Sequence, residues 1–176
     1  MDCHQPSFRD DLYNYVGNLL HIHVAYIDTA FIKVSEDILS PKILTKHPIY
    51  KTYTKLIVKD FWKIDEVSSG ALDGKALYKT GYVTGVTRGN FIMYFYIYTY
   101  YLTIFGYLYH VITVDISSLN GDSGAPTYTY KKLGPRGWAV ELVGTLVGIH
   151  PPNPLQKVFV LVDGIREFAG ITPLTL

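Results

Sequence analysis

The chain has 176 residues, a length that suits one ordinary domain or two small barrels that share an interface. Hydrophobic residues make up 48% of the chain and charged residues 18%, so the composition can fill a core and argues against disorder. The net charge is +1 and Lys and Arg form no cluster, which argues against a nucleic-acid partner.

The start of the chain carries no readable targeting signal. Its one cysteine, Cys3, excludes a disulfide within the chain, so the redox compartment does not follow from the sequence. Residues 1–12 contain no apolar core, so a signal peptide is not predicted and the localisation stays open.

Short apolar segments rich in Val, Ile, Tyr, Phe and Thr are separated by turn residues, a pattern typical of an all-β fold. Two strands are predicted over 19–26 and 29–34, and residues 55–69 are predicted to form a linker. A short helix is predicted at the end of the chain, with Asp163 as its N-cap. Six further strands, enough to close a small barrel, are predicted over 75–83, 91–98, 102–114, 126–131, 138–148 and 157–161.

Residues 91–114 contain no Lys, Arg, Asp or Glu, so this segment is long and apolar enough to be considered as a membrane span. Seven tyrosines between Tyr94 and Tyr109 argue against that, because tyrosine favours the membrane interface and β-strands. Gly106 also interrupts the segment. A two-stranded hairpin is therefore predicted, with a membrane span and a partner-binding strand as the alternatives.

The segment Gly121-Asp122-Ser123-Gly124 carries the strongest chemical signal. A serine hydroxyl becomes a useful nucleophile only beside a base and a site that stabilises the oxyanion. The glycines allow a tight turn that directs the amides of Gly121 and Ser123 into one oxyanion hole, and Asp122 is predicted to anchor the loop through a buried interaction. An ordinary hairpin turn is the alternative for these four residues alone.

Together with Ala125 and Pro126, this segment resembles the signature of the trypsin/chymotrypsin superfamily of serine peptidases. Residues 26–34 (YIDTAFIKV) resemble the family element that carries the triad aspartate. Residues 78–89 (YKTGYVTGVTRG) resemble the K-x-G-x-x-T-G-x-T-x-G segment of bacterial and archaeal members. The resemblance extends from Gln5 to the end, and includes residues 143–149 (VGTLVGI) as the strand that lines the specificity pocket.

The resemblance implies a chymotrypsin-like double β-barrel, all-β apart from its short C-terminal helix. Residues 1–60 would form a partial N-terminal barrel that carries Asp28, and residues 61–176 a complete C-terminal barrel that carries Ser123. Ser123 would attack the scissile carbonyl, and Asp28 would orient a histidine and stabilise its cation. The alternative for Asp28 is a carboxylate that caps a turn at a strand start.

The resemblance also suggests a specificity pocket lined by Ser117, Val147 and His150. Ser117, six residues before Ser123, would lie near the pocket floor and offers no negative charge for Lys or Arg side chains. The pocket would then favour uncharged or apolar side chains, whereas a charged His150 at its wall would favour acidic ones.

The catalytic histidine is the point where the chain departs from the family pattern. In the family it lies upstream of the aspartate at the end of an apolar strand, and His4 is the only candidate in that order. Residues 5–19, however, resemble a segment that follows the histidine in the family. Three alternatives to His4 stay open: a histidine upstream of Met1 in an N-terminally truncated chain, an inactive homologue, or a partner chain that completes the N-terminal barrel and supplies the imidazole. The other histidines are expected to be structural or exposed: His21, His23, His47, His110 and His150.

The function implied by the resemblance is a serine endopeptidase that cleaves polypeptides through an acyl-enzyme, without metal or cofactor. The alternative from another class is a catalytically dead, peptidase-like module whose exposed strand edges bind proteins. A membrane-anchored protein that uses residues 91–114 is a third reading.

Overall fold

The structure is a computed structural model that describes residues 2–6, 13–23, 29–33, 41–99, 107–135, 137–150, 153–169 and 175. The chain forms two compact units. The first contains Met1–Ser40 and Thr99–Tyr107, and the second contains Pro41–Tyr98 and Leu108–Leu176. The described elements are strands apart from two short helices, which confirms the predicted all-β class.

The described part of the first unit is a three-stranded antiparallel sheet. Its strands are β1 (Asp2–Pro6), β2 (Tyr13–His23) and β3 (Thr29–Lys33), in the order β1-β2-β3. The predicted strands over 19–26 and 29–34 correspond to β2 and β3. Strand β1 was not predicted, because Asp2, Cys3, His4 and Gln5 lack apolar alternation.

The six strands predicted after residue 75 are present and close into a barrel. Each neighbours the next in the order β10-β9-β6-β7-β8-β11, and β11 pairs again with β10. A hairpin of β4 and β5 extends this sheet through a parallel pairing of β5 with β10. The elements are β4 (Lys42–Lys46), β5 (Tyr53–Phe61), α1 (Ile64–Ser68), β6 (Ala76–Gly81), β7 (Gly85–Thr99), β8 (Tyr107–Asp115), β9 (Pro126–Lys132), β10 (Trp138–His150), β11 (Asn153–Leu161) and α2 (Val162–Ala169).

Alternation of side chains along the strands builds the barrel core. On β6, for example, Leu77, Lys79 and Gly81 are buried, and the residues between them are only partly buried. Leu77 packs in the core, so Lys79 is directed inward two residues further along. The main cluster consists of Val67, Leu72, Leu77, Ile112, Val114, Ile116, Ala125, Val143, Leu146, Phe159 and Leu161.

The predicted linker over 55–69 is wrong, because these residues form most of β5 and all of α1. Leu56 and Val58 are buried in a second apolar cluster with Tyr128 and Val140. The intervening Lys and Asp residues of β5 face solvent, and their charge concealed the strand period from sequence reasoning.

The C-terminal helix is confirmed, but the predicted capping role of Asp163 is wrong. Helix α2 starts at Val162, so Asp163 lies within its first turn. The buried carboxylate of Asp163 accepts hydrogen bonds from the backbone amide of Ile64 (2.9 Å) and from Arg166 (2.8 Å). Asp163 therefore satisfies an amide at the start of α1, a different helix from the one predicted.

The predicted hairpin over 91–114 is formed by β7 and β8, which are neighbours in the barrel. The segment between its arms, residues 100–106, lies outside the described residues. Within the described ranges, no helix has the length and apolar character needed to cross a membrane.

A network of hydroxyl groups joins β4 to the barrel. The hydroxyl of Tyr128 lies 2.6 Å from that of Thr45 and 2.9 Å from that of Thr80. Tyr130 contacts the same Thr45 hydroxyl at 2.7 Å. Tyr128 is fully buried, and this burial raises its pKa to about 12. These contacts hold the β4–β5 hairpin against the barrel without an ion pair.

Replacing Tyr128 with phenylalanine is expected to lower the free energy of unfolding by about 1 kcal/mol, because the buried Thr45 hydroxyl and the half-buried Thr80 hydroxyl each lose a partner. Urea denaturation measures the change. Tyr96→Phe is the matched control: Tyr96 is 64% exposed, and its substitution should change the value by less than about 0.5 kcal/mol. Equal losses in the two variants would contradict a role for this network.

Candidate active site

Ser123 lies on the loop between β8 and β9, where the backbone is fixed by its own hydrogen bonds. The amide of Asp122 donates to the carbonyl of Leu119 (3.0 Å), and the amide of Gly124 donates to the carbonyl of Leu146 on β10 (2.8 Å). Gly121 has φ of +97°, a conformation that L side chains rarely adopt. The loop therefore presents an exposed Ser123 on a defined backbone.

Two backbone amides of this loop stand out. Within the described parts of the chain, the amides of Gly121 and Ser123 donate to no protein acceptor. Both residues are exposed, so the two N–H groups can reach a ligand or solvent. Two such donors close together on a fixed backbone can stabilise an anionic oxygen.

Asp122 anchors the loop from within, as predicted. Its carboxylate forms a buried ion pair with Lys79 (Nζ to Oδ2, 2.9 Å), and both side chains are fully inaccessible. It also accepts hydrogen bonds from the Thr84 hydroxyl (2.7 Å) and from the amides of Val83, Thr84 and Leu119 (2.9, 3.1 and 3.2 Å). Each oxygen of the carboxylate therefore has at least two donors.

This environment keeps Asp122 charged. Burial by itself raises the pKa of the carboxyl, but the hydrogen bonds from Thr84, Lys79 and Leu119 outweigh burial and hold the pKa below its ordinary value. At neutral pH the pair is therefore an ammonium and a carboxylate, and each charge is compensated at short range.

Residues 78–89 surround this anchor, which gives a physical reason for the sequence pattern found there. Lys79 and Thr84 are both direct partners of Asp122. Gly81 leaves room for it, since a Cβ at this position would lie 2.2 Å from Asp122 Oδ1. With the Val83 amide, four positions of the segment thus converge on one carboxylate.

Ser123 lines an open cleft of about 470 Å³ within the second unit. Lys157 is the only charged residue among the described residues that line it. The other lining residues are Val83, Ser118, Leu119, Asn120, Leu146, Gly148 and Ile149.

The three predicted pocket residues lie elsewhere in the described structure, outside this lining. Ser117 is exposed, and its carbonyl accepts a hydrogen bond from Thr87 (3.1 Å). Val147 is a bulged residue of β10 without a partner on β11, between Leu146 and Gly148. His150 has its ring edge-on to Phe95, and its Nδ1 is buried without a hydrogen-bond partner.

The predicted triad partners of Ser123 belong to the first unit. The backbone of His4 lies in β1, where it pairs with Tyr15 of β2, and its side chain is outside the description. Asp28 lies outside the described residues.

Two other histidines have local partners, which is consistent with structural roles. His47 Nδ1 accepts hydrogen bonds from two nearby backbone amides, and His110 Nδ1 lies 2.6 Å from the Tyr94 hydroxyl. Across the described ranges, no three His, Cys, Asp or Glu side chains are grouped as metal ligands.

The sequence matches no protein-family model and no curated protein sequence. Its fold, however, is similar to that of a chymotrypsin from Cellulomonas bogoriensis, with a TM-score of 0.59 and 15% identity over 91% of this chain and 76% of that one. It is also similar to a glutamic acid-specific serine protease that uses a histidine triad in substrate binding. That likeness has a TM-score of 0.60 and 16% identity, over 92% of this chain and 75% of that one. The closed barrel and these likenesses show that the chain has a trypsin/chymotrypsin-like fold.

Proposed function

We propose that the chain is a serine endopeptidase in which Ser123 is the nucleophile. The observation that supports this most is the loop itself: an exposed serine, two unpaired amides and an adjoining cleft, all held by the buried Lys79–Asp122 pair. An ordinary hairpin turn has no need of a fully buried ion pair beneath it. That both similar solved structures are serine proteases by name supports the same class.

In this proposal the Ser123 hydroxyl oxygen bonds to the scissile carbonyl carbon as its proton passes to an imidazole. The carbonyl oxygen becomes an oxyanion and accepts hydrogen bonds from the amides of Gly121 and Ser123, each worth about 10²–10³ in rate. The amine leaves with the proton, and water then hydrolyses the acyl-enzyme. The steps require no metal or cofactor.

The proposed triad adds Asp28 and a histidine to Ser123. His21 and His23 also precede Asp28 but lie only a few residues before it, so His4 is the first residue to test as the base. Asp28 would hold the imidazole in the tautomer that accepts the serine proton.

A catalytically dead, peptidase-like binding module is the second candidate function. Among the described strands of the first unit, β1 and β3 are edge strands, each paired only with β2. Edge strands offer unpaired backbone groups to an extended partner. A module of this kind would keep the fold and lack a reactive serine.

Labelling with a fluorophosphonate, followed by peptide mapping, separates the two functions. We expect one adduct, on Ser123, and its loss in Asp28→Ala because the histidine is then poorly oriented. Loss in His4→Ala would assign the base, whereas retention would exclude His4. Ser69→Ala is the control, since Ser69 is an exposed serine outside this cleft and should not affect labelling. A folded chain that resists labelling would favour the binding module.

A further inference from the structure

Lys157 occupies an unusual position for a lysine, on the inner face of a barrel strand. On β11 it shares its face with Phe159 and Leu161, both fully buried in the core. The pairing with β8 is regular here and sets Lys157 opposite Val114, another fully buried core residue. The sequence places a cation where the strand period calls for an apolar side chain.

This lysine lines the Ser123 cleft, and its charge has no carboxylate partner among the described residues. Its ammonium donates a hydrogen bond to the backbone carbonyl of Pro154 (2.7 Å). Within the described ranges it forms no ion pair, in contrast to Lys79 with Asp122 and Lys131 with Glu141. No carboxylate lines the described wall of the cleft either.

The other residues that line the cleft suit a side chain with an apolar stem and a polar end. Val83, Leu146 and Ile149 supply apolar surface. Ser118 and Asn120 add hydrogen-bonding groups to the same lining. The Lys157 ammonium would repel a basic side chain, and an apolar one would displace water from the polar groups without replacing its hydrogen bonds.

We infer that the cleft recognises an acidic side chain, glutamate or aspartate, at the residue that precedes the scissile bond, with Lys157 as its counter-ion. The inference rests on the proposed function for the position of the scissile bond. When an acidic side chain binds, the Lys157 ammonium replaces its hydrogen bond to the Pro154 carbonyl with one to the carboxylate, which is a stronger acceptor. A hydrogen bond to a charged group typically raises affinity by roughly 10-fold to 100-fold over its neutral counterpart.

Calorimetry on Ser123→Ala tests the inference without requiring catalysis. The ligands are two N-acetyl tetrapeptides that differ only in the C-terminal residue, glutamate in one and glutamine in the other. Both carry the same terminal carboxylate, so their difference reports the side-chain charge alone. We expect the glutamate peptide to bind roughly 10-fold to 100-fold more tightly. Equal affinities, or no binding of either peptide, would overturn the inference.

Three further variants in the Ser123→Ala background assign the effect to Lys157. Lys157→Met should remove the preference, and Lys157→Glu should transfer it to a peptide that ends in lysine. Lys132→Met removes an exposed lysine outside the cleft and should leave the preference intact. A preference that survives in folded Lys157→Met would overturn the assignment.

The glutamate–glutamine comparison needs no Lys157 variant, so it stands if these variants fail to fold. If Ser123→Ala prefers the glutamate peptide but the unsubstituted chain resists fluorophosphonate, the proposed peptidase activity is refuted. The inferred preference of the cleft for an acidic side chain then still stands.

Discussion

Replacing Lys79 with methionine is expected to lower the free energy of unfolding by about 3–5 kcal/mol. The substitution leaves the buried Asp122 carboxylate without its counter-ion. The remaining hydrogen bonds from Thr84 and the amides cannot neutralise the charge, so the native state must carry an uncompensated anion or bind a proton. Urea denaturation at neutral pH measures the loss.

Lys131→Met is the matched control, since it breaks the other lysine–carboxylate pair of the barrel, Lys131–Glu141. The side chains of Lys131 and Glu141 are 43% and 19% exposed, so water reaches the carboxylate that remains. The expected cost is about 0–1 kcal/mol. Similar losses in Lys79→Met and Lys131→Met would contradict the role assigned to burial. Because Asp122 precedes Ser123, Lys79→Met should also abolish labelling of Ser123 in protein that is still folded.

Replacing Ser123 with alanine is expected to lower kcat for peptide hydrolysis on the order of 10⁶-fold, the largest effect on activity. Without the nucleophile, only the two amides and the cleft act on the substrate. Ser123 is exposed, so the free energy of unfolding should change by less than about 0.5 kcal/mol. A loss of activity at unchanged stability identifies a chemical role.

Ser118→Ala is the control for this measurement, because Ser118 lines the same cleft and carries the same hydroxyl group. Its kcat should stay within about tenfold of the unsubstituted chain, the usual size of one neutral hydrogen bond. Cleavage of a fluorogenic peptide with glutamate before the scissile bond provides the assay. If Ser123→Ala cleaves it as fast as the unsubstituted chain, the nucleophile lies elsewhere.

The barrel was readable from the sequence because its strands obey a local rule. Alternating apolar residues and intervening turn residues predicted all six strands of the ring, and the glycines beside Ser123 predicted its fixed loop. Strand β5 was missed because its outward-facing Lys and Asp residues resemble those of a linker. Burial of its other face depends on pairing with β10, a contact over eighty residues away in sequence that no local pattern reveals.

The details of the cleft were less predictable, for two physical reasons. A bulge at Val147 shifts the register of β10, and Leu146, Gly148 and Ile149 line the cleft instead of Val147. Lys157 was missed because a lysine at the start of a predicted strand suggests a solvent-exposed side chain, whereas the side chain is half-buried and lines the cleft. Its alternation with Phe159 and Leu161 was the available signal.

An acyl group trapped on Ser123 would test the proposed nucleophile most directly. The chain is mixed with p-nitrophenyl acetate, the release of nitrophenol is followed, and the reaction is quenched in acid for peptide mapping. A triad serine predicts a burst of about one nitrophenol per chain and a single acetyl group on Ser123. Because the chain contains 16 tyrosines, unspecific acetylation of their hydroxyl groups is the alternative outcome. Acetyl groups spread over tyrosine and lysine side chains, with no burst and none on Ser123, would contradict the proposed function.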